Sequence, residues 1–389
     1  MNVLFISHSL LMSGGANRSM LQLILELRKN HNINPVVIVP YGKKPTCDHG
    51  LDVECINNNI PVVRSIIPWF IHSKVWIHRF KYVLLLLLYP FLLLKLKKYN
   101  IQLVHSNGSV FDLGARISKS LSVPHIWHFR EFGTEDISFK PIWGIKYIKK
   151  QYAKADQIIA ISRAIKESYK DKVDESKMVV IYNGIDLNKY KSLSIHNNNK
   201  IQFVVVGVVT PHKNQFEAIK AISVLIRKGI TSFHLNIIGL ENAKYKNLLS
   251  NFVKENKLEK YVTFWGVRNN VPSLLSSMDV GLMLSRTEAF GRVTIEYMFQ
   301  KLAVIASDTG ANPELIKDGQ TGFLYHFGDY QDLADKMEKL IKNNQLLQKI
   351  STQGCDYARA EFTSLKNSDK IFQLYKLTMK KNYDLHSVN

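Results

Sequence analysis

The chain has 389 residues, 46% of them hydrophobic and 22% charged, which excludes one ordinary core and a largely disordered chain and leads to an expectation of two domains. The net charge of +20 asks for an anionic partner, with nucleic acid, anionic lipid and phosphorylated small molecules as the candidates. Three cysteines, Cys47, Cys55 and Cys355, form no CxxC or metal-type spacing and suit a reducing compartment.

"MNVLFISHSL" opens the chain without the basic stretch of a signal peptide. It reads as a first buried strand, and a cytoplasmic location is expected. "SHSLLMSGGANRSM" (7–20) follows and opens a helix. Gly14 and Gly15 there let backbone amides approach an anion at the helix N-terminus, although a plain tight turn fits equally. The GxGxxG fingerprint of nicotinamide binding is absent.

Basic charge concentrates between Arg64 and Lys154, with 15 Lys or Arg against 4 acids. No acid occurs between Glu54 and Asp112. Inside this region lies "YVLLLLLYPFLLLKLKK" (82–98). It falls short of the roughly 20 apolar residues that span a bilayer, and Pro90 interrupts it. A buried helix leading into the next strand is one reading. A helix in the interface of an anionic membrane, with Arg79, Lys81, Lys95, Lys97 and Lys98 at the headgroups, is another. A true span is the third. Beyond it, "VPHIWHFREFG" (123–133) puts His128 at a strand end, followed by Arg130 and Glu131. His128 is a structural histidine or a site residue.

Short, continuously apolar runs predict strands at 3–7, 35–40, 103–107, 124–129, 157–162 and 178–183. They resume at 201–207, 233–239, 262–266, 280–284, 303–307 and 322–325. Strands buried on both faces and alternating with helices form parallel sheets. The polar stretch 183–200 interrupts the rhythm and is the expected linker; its "SIHNNNK" (194–200) and the last few residues have a disordered composition. The fold class is therefore α/β, with two Rossmann-like domains whose parallel sheets face across a cleft, and ligands at the strands' carboxyl ends.

In the second half, "VVVGVVTPHKNQFEAIKA" (204–221) sets Lys213 on the loop before a helix. There an ammonium meets a phosphate, or the lysine is merely solvated. "SRTEAFGRVTIEYM" (285–298) carries Glu288 in a loop after a strand and Glu296 in the second turn of a helix. Gly291 between them lets amides approach an anion. Hydroxyls at both ends of a ligand and phosphates in its middle would suit this spacing, as in a nucleotide sugar.

This segment resembles the E-x7-E motif of the retaining glycosyltransferases of family 4, glycosyl transferases group 1, which have the GT-B fold. The resemblance continues through "KLAVIASDTGANPELIKDGQTGFLY" (301–325), "VGVVTPHKNQFEAIKA", "YNGID" (182–186), "ISRAIKE" (161–167) and "SGGA". It implies an acceptor-binding domain over 1–185 and a nucleotide-sugar domain over 186–389, with the last helix, about 366–385, packing back on the first. By position, Glu288 matches the glutamate that meets the donor sugar's hydroxyls, with the amides of Ala289, Phe290 and Gly291 on sugar and diphosphate. Glu296 matches the ribose-binding glutamate and Lys213 the diphosphate lysine. Gly15 matches the glycine beside the phosphates, and Gly14 stands with it. His128 is similar to the histidine lining the reaction centre, which makes His128 and Glu288 the expected catalytic pair. The "WGVRN" loop (265–269), with Val267 and Arg268, is similar to the one framing the nucleobase. The family's arginine after its "VGR" glycine is replaced here by Val208. Lys213 then acts alone, or Arg292 or Arg130 substitutes at the phosphates.

The resemblance further implies transfer with retention by a front-face route, without metal or cofactor, since the nucleotide sugar is a substrate. With the basic, apolar stretch it implies a saccharide or lipid-linked acceptor, a lipid-linked sugar before a soluble or protein one, and peripheral contact with the inner face of a bacterial membrane. Capsule, O-antigen or exopolysaccharide assembly is the expected setting. A nucleotide-sugar epimerase that hydrolyses its donor is a rival on the same fold. A nucleic-acid-binding protein is a rival of another class, but the basic residues accompany leucine runs rather than spaced aromatics, and no nucleic-acid partner is expected.

Overall fold

The computed structural model describes residues 1–12, 14–42, 50–72, 74–133, 140–190 and 200–386, with side chains to 382. The chain divides into two compact units, Met1–Gly184 with Ser364–Asn389, and Ile185–Thr363.

The first unit runs β1 (Asn2–Ser7), α1 (Gly15–His31), β2 (Asn34–Pro40), α2 (Leu51–Asn57), β3 (Val62–Ser65), α3 (Val75–Lys97), β4 (Leu103–Asn107) and α4 (Leu113–Leu121). It continues through β5 (His125–Phe129), α5 (Ile145–Tyr152), β6 (Gln157–Ala160), α6 (Arg163–Ser168) and β7 (Met178–Val180). The strands form one sheet in the order β3-β2-β1-β4-β5-β6-β7, with every pairing parallel. The residues of β4 and β5 are buried throughout, as strands covered on both faces must be.

The second unit runs β8 (Ile201–Val206), α7 (Gln215–Arg227), β9 (Phe233–Ile238), α8 (Ala243–Glu255), β10 (Val262–Gly266), α9 (Val271–Leu275), β11 (Val280–Met283) and α10 (Arg292–Phe299). Then come β12 (Ala303–Ser307), α11 (Asn312–Leu315), β13 (Phe323–Tyr325), α12 (Tyr330–Lys342) and α13 (Asn344–Glu361). Its sheet is also parallel, in the order β10-β9-β8-β11-β12-β13. In both sheets the strand order reverses beside the first strand, between β1 and β4 and between β8 and β11. Loops leave in opposite directions there and open a crevice at the carboxyl ends.

The final helix, α14 (Ser364–His386), belongs to the first unit. Ile371, Leu374 and Tyr375 are buried with Leu23, Ile24 and Leu27 of α1. Asp369 meets His31 Nε2 at 2.8 Å, and Phe372 stacks on the same imidazole at 4.2 Å. The second unit thus begins and ends within the bounds of a chain segment that returns to the first.

Three sequence expectations change. β3 was not foreseen: it is a four-residue edge strand with alternating burial, too short for a periodicity signal. The expected linker and the disordered tail fall largely on residues 191–199 and 387–389, outside the described residues. The buried-helix reading of 82–98 fails. α3 is a 23-residue helix whose buried positions are the narrow stripe His78, Tyr82, Leu85, Leu92 and Leu96. Trp76, Phe80, Val83, Leu87, Phe91 and Leu94, stepping by four, three, four, four and three, are exposed on it. Cys55 and Cys355 are buried free thiols.

Candidate active site

In the second unit, Lys213 follows β8 and Glu288 follows β11, the two strands that flank the reversal of strand order. Lys213 Nζ donates to Glu288 Oε2 at 2.7 Å, and both side chains are mostly buried, 29% and 18% exposed. The backbone of each loop is fixed separately. The amide of Arg286 donates to the carbonyl of His212 at 3.3 Å, tying the two loops together. The amide of Ala311 donates to the carbonyl of Glu288 at 2.8 Å. Gly310, at φ +57, lies so close that a Cβ there would come within 2.5 Å of the Glu288 nitrogen. Burial, and then the Lys213 charge, pushes the His212 pKa down, so that ring is neutral beside the pair.

Phe290 is buried and meets Phe362 edge-on at 6.1 Å, which anchors the loop while its backbone runs past Glu288. Gly291 caps α10 at φ 86 and ψ 53, a conformation that costs an L-residue with a Cβ. The first amides of a helix have no acceptor one full turn back within it, and the N-terminus of α10 is the kind of position that favours an anion. Tyr297 fixes α10 against the sheet by accepting the Val206 amide at 2.7 Å. Glu296 sits one turn in and pairs with Arg292 at 3.4 Å. Val208 is 45% exposed at the end of β8, and its carbonyl accepts from Gln215 Nε2 at 3.0 Å. In the loop after β10, Arg268 lies over the Trp265 ring at 5.6 Å and donates to the Val267 carbonyl at 3.0 Å. Trp265 is held by Asn236 Oδ1 at 2.9 Å.

In the first unit, Gly14 is the N-cap of α1 at φ −78, and a Cβ there would meet nothing nearer than 3.9 Å. The fold itself therefore does not demand glycine at this position. Gly15 begins α1. His128, in β5, is fully buried. Its Nδ1 lies 3.1 Å from His105 Nε2 and 3.3 Å from an Arg130 Nη. Arg130 itself is buried and bonds Asn107 Oδ1 and Asn183 Oδ1. It is thus committed inside this unit by several bonds.

These contacts assign the protons. Arginine only donates, so His128 Nδ1 accepts. His105 Nε2 then donates to the same nitrogen, and its own Nδ1 accepts from the Tyr375 hydroxyl at 2.6 Å. Burial first, and then the Arg130 charge, holds both imidazoles neutral by lowering their pKa well below the usual value. The chain Tyr375–His105–His128 therefore leaves the remaining proton on His128 Nε2, a buried atom without a partner among the described residues. A buried, unpaired donor at a strand's carboxyl end is suited to a ligand oxygen.

The sequence reading missed His105, Tyr375 and Gly310. Only Gly310 left a signal, the glycine of "SDTGANP" after a strand. His128 with Arg130 in one unit, and Lys213 with Glu288 and Arg292 with Glu296 in the other, are the expected residues that the fold brings into contact. Among the described residues, no three His, Cys, Asp or Glu side chains converge as a metal-binding group.

Comparison with known proteins follows the same division. The family model described as glycosyltransferase family 4 matches residues 13–189, and that described as glycosyl transferases group 1 matches 188–356. The UDP-Gal:α-D-GlcNAc-diphosphoundecaprenol α-1,3-galactosyltransferase of Escherichia coli is 27% identical over 73% of this chain and 76% of its own. The capsular polysaccharide biosynthesis glycosyltransferase CapM of Staphylococcus aureus is 24% identical over 59% and 63%. Among solved structures, Anabaena HepE in complex with UDP has a TM-score of 0.80 at 21% identity, covering 97% of this chain and 100% of that one. A glycosyltransferase of Rickettsia africae has a TM-score of 0.81 at 20% identity, covering 97% and 98%. With both family models placed on the two units and the GT-B fold shared along nearly the whole chain, this protein belongs to the family 4, group 1 glycosyltransferases.

Proposed function

We propose that the protein transfers a sugar from a nucleotide-sugar donor to a hydroxyl of a lipid-linked saccharide, with retention at the anomeric carbon and without a metal or other cofactor. The observation that carries this reading is the Lys213–Glu288 pair between the loops after β8 and β11. Glu288 accepts hydroxyls of the donor sugar, and Lys213, held beside it, meets the diphosphate. Amides of Ala289, Phe290 and Gly291 complete the anion site, Glu296 binds the ribose and the Val267–Arg268 loop frames the base. Gly14 and Gly15 allow close approach to the phosphates, and His128 Nε2–H donates to a sugar oxygen.

In the reaction, the bond between the anomeric carbon and the phosphate oxygen breaks, and its electron pair leaves with the nucleoside diphosphate. The acceptor hydroxyl forms the new bond on the same face, and its proton passes to the departing phosphate. Lys213 and the helix amides stabilise the charge that develops on that phosphate.

Support for a lipid-linked acceptor comes from α3. Its exposed stripe of Trp76, Phe80, Val83, Leu87, Phe91 and Leu94 suits a bilayer interface, with Lys95, Lys97 and Lys98 at its end. The hydroxyls of Tyr82 and Tyr89 bond Asp112 and Ser120, each at 2.9 Å, and this favours a helix lying along the surface over one that spans. The E. coli relative, by its name, acts on a diphosphoundecaprenol-linked sugar, and the S. aureus one serves capsule synthesis. By analogy the protein works at the cytoplasmic face of a bacterial membrane in surface-polysaccharide assembly. Release of nucleoside diphosphate, measured with and without a lipid-linked saccharide, tests the reading. Acceptor-dependent release is expected; equal release without acceptor would instead identify a hydrolase or epimerase.

A further inference from the structure

Glu217 is a buried acid of the second unit, 5% exposed, and no step of the proposed reaction uses it. It lies in the first turn of α7, shortly after Lys213 in the chain. Burying a carboxyl group is costly unless hydrogen bonds offset it, and one oxygen, Oε2, takes two donors. The Tyr325 hydroxyl reaches it at 2.8 Å, and the Asn214 side-chain amide donates to the same atom. An oxygen that holds two donors serves as an acceptor, so Asn214 turns its nitrogen to Glu217. Burial first, and then the Glu217 charge, pushes the Tyr325 pKa up, and the hydroxyl keeps the proton it donates. Tyr325 is itself buried at the carboxyl end of β13, the edge strand of the sheet.

What these bonds hold is Asn214, the N-cap of α7 and the neighbour of Lys213. Its backbone is left-handed, at φ 53 and ψ 38, a conformation that asparagine adopts more readily than most residues. The Glu217 amide donates to the Asn214 carbonyl at 3.1 Å, so main chain and side chain both tie the two residues. Upstream, the amides of Lys213 and Asn214 donate to the Thr210 carbonyl at 3.0 and 3.1 Å. The turn is thus closed on either side of Lys213. The lysine stem runs past Gly207, where a Cβ would stand 3.8 Å from it. A four-carbon stem on a free loop would lose much rotamer entropy on meeting an anion, and a fixed backbone reduces that loss. We infer that Glu217 is a positioning residue for Lys213, acting through Asn214 and anchored by Tyr325, so that the ammonium stands where the donor's diphosphate binds. The inference rests on the phosphate role proposed for Lys213 and names the residues that hold the lysine to it.

Calorimetric binding of UDP and GDP, with and without the lysine, supplies the test. Glu217→Leu should weaken binding of the preferred nucleotide by about three- to tenfold. Glu217→Gln, whose Oε1 can accept both donors, should recover most of that loss. Asn214→Gly keeps the left-handed backbone accessible and cuts the side-chain link, so it should weaken binding likewise. It also carries the test if Glu217→Leu does not fold. In a chain already bearing Lys213→Ala, neither substitution should weaken binding further. General damage to the domain would give the same loss with the lysine and without it. That result, or unchanged affinity in both Glu217→Leu and Asn214→Gly, would overturn the inference while leaving the phosphate role of Lys213 in place. If Lys213→Ala alone leaves the affinity unchanged, the phosphate role itself falls, and the inference with it.

Discussion

Lys213 Nζ and Glu288 Oε2 are 2.7 Å apart although 75 residues separate them in the chain. The contact exists because β8 and β11 are neighbours in the sheet while β9 and β10 lie on the far side of β8. A carboxylate alone in this position would repel a diphosphate. Paired, the two side chains carry no net charge, and they offer an acceptor for hydroxyls beside a donor for phosphate.

The pair should separate binding from turnover. Lys213→Ala removes a charge-assisted bond and should weaken nucleoside diphosphate binding by roughly ten- to a hundredfold, from about 1.5–3 kcal/mol. Glu288→Gln keeps the shape and should leave that binding within a few fold, yet lower turnover by about tenfold or more. Calorimetry and steady-state kinetics read the two effects. An unchanged dissociation constant in Lys213→Ala would remove its phosphate role and direct attention to Arg292.

Gly310 should prove to be a positioning residue for Glu288. At φ +57, Gly310→Ala meets left-handed strain of about 1–2 kcal/mol. Its Cβ also presses on the Glu288 backbone. Loss of turnover larger than the loss of thermal stability explains is the expected outcome. A variant with the wild type's melting temperature and kcat would show that the loop yields without moving Glu288.

Tyr375 should set the histidine tautomers from α14. In the wild type, nitrogen-15 NMR should find His128 protonated at Nε2 and bare at Nδ1. Tyr375→Phe leaves His105 Nδ1 as a buried acceptor without a donor, at a cost of about 1–3 kcal/mol. A second His105 tautomer should then appear in the spectrum. A His128 proton on Nδ1 in the wild type would contradict the assignment that Arg130 imposes.

Vesicle binding should depend on both faces of the α3 chemistry. Replacing Lys95, Lys97 and Lys98 together by Gln should weaken flotation with phosphatidylglycerol vesicles by roughly a hundredfold, at about 1 kcal/mol per charge. Salt should weaken the wild type in the same direction. Leu87→Ser with Phe91→Ser should reduce binding at every salt concentration, because apolar burial is not screened. If the wild type fails to float at low salt, α3 covers something other than a lipid surface.

The parallel architecture was legible because strands buried on both faces are continuous apolar runs, and twelve of them could be read. β3 escaped because "VVRS" is short, lies at the sheet edge and runs into the apolar "IIPWF". The placement of Lys213 and Glu288 in loops after a strand and before a helix was also legible, since the apolar run and the helical periodicity bracket each loop. Their contacts were not. Whether β8 lies beside β11 is a matter of sheet order, and whether Tyr375 reaches His105 depends on a helix 270 residues away. For α3 the sequence is apolar all round. Which face packs was decided by Asp112 and Ser120, partners that hold its tyrosines and leave the opposite stripe exposed.

The proposed reaction moves a sugar, with retention, onto a lipid-linked saccharide. Mass spectrometry and proton NMR of the lipid product, after incubation with UDP- and GDP-sugars and a lipid-linked acceptor, test it most directly. The expected product is an acceptor heavier by one glycosyl unit, with the new linkage in the donor's anomeric configuration and none formed by Glu288→Gln at the wild-type rate. An inverted linkage, or donor consumed with the acceptor's mass unchanged, would contradict it.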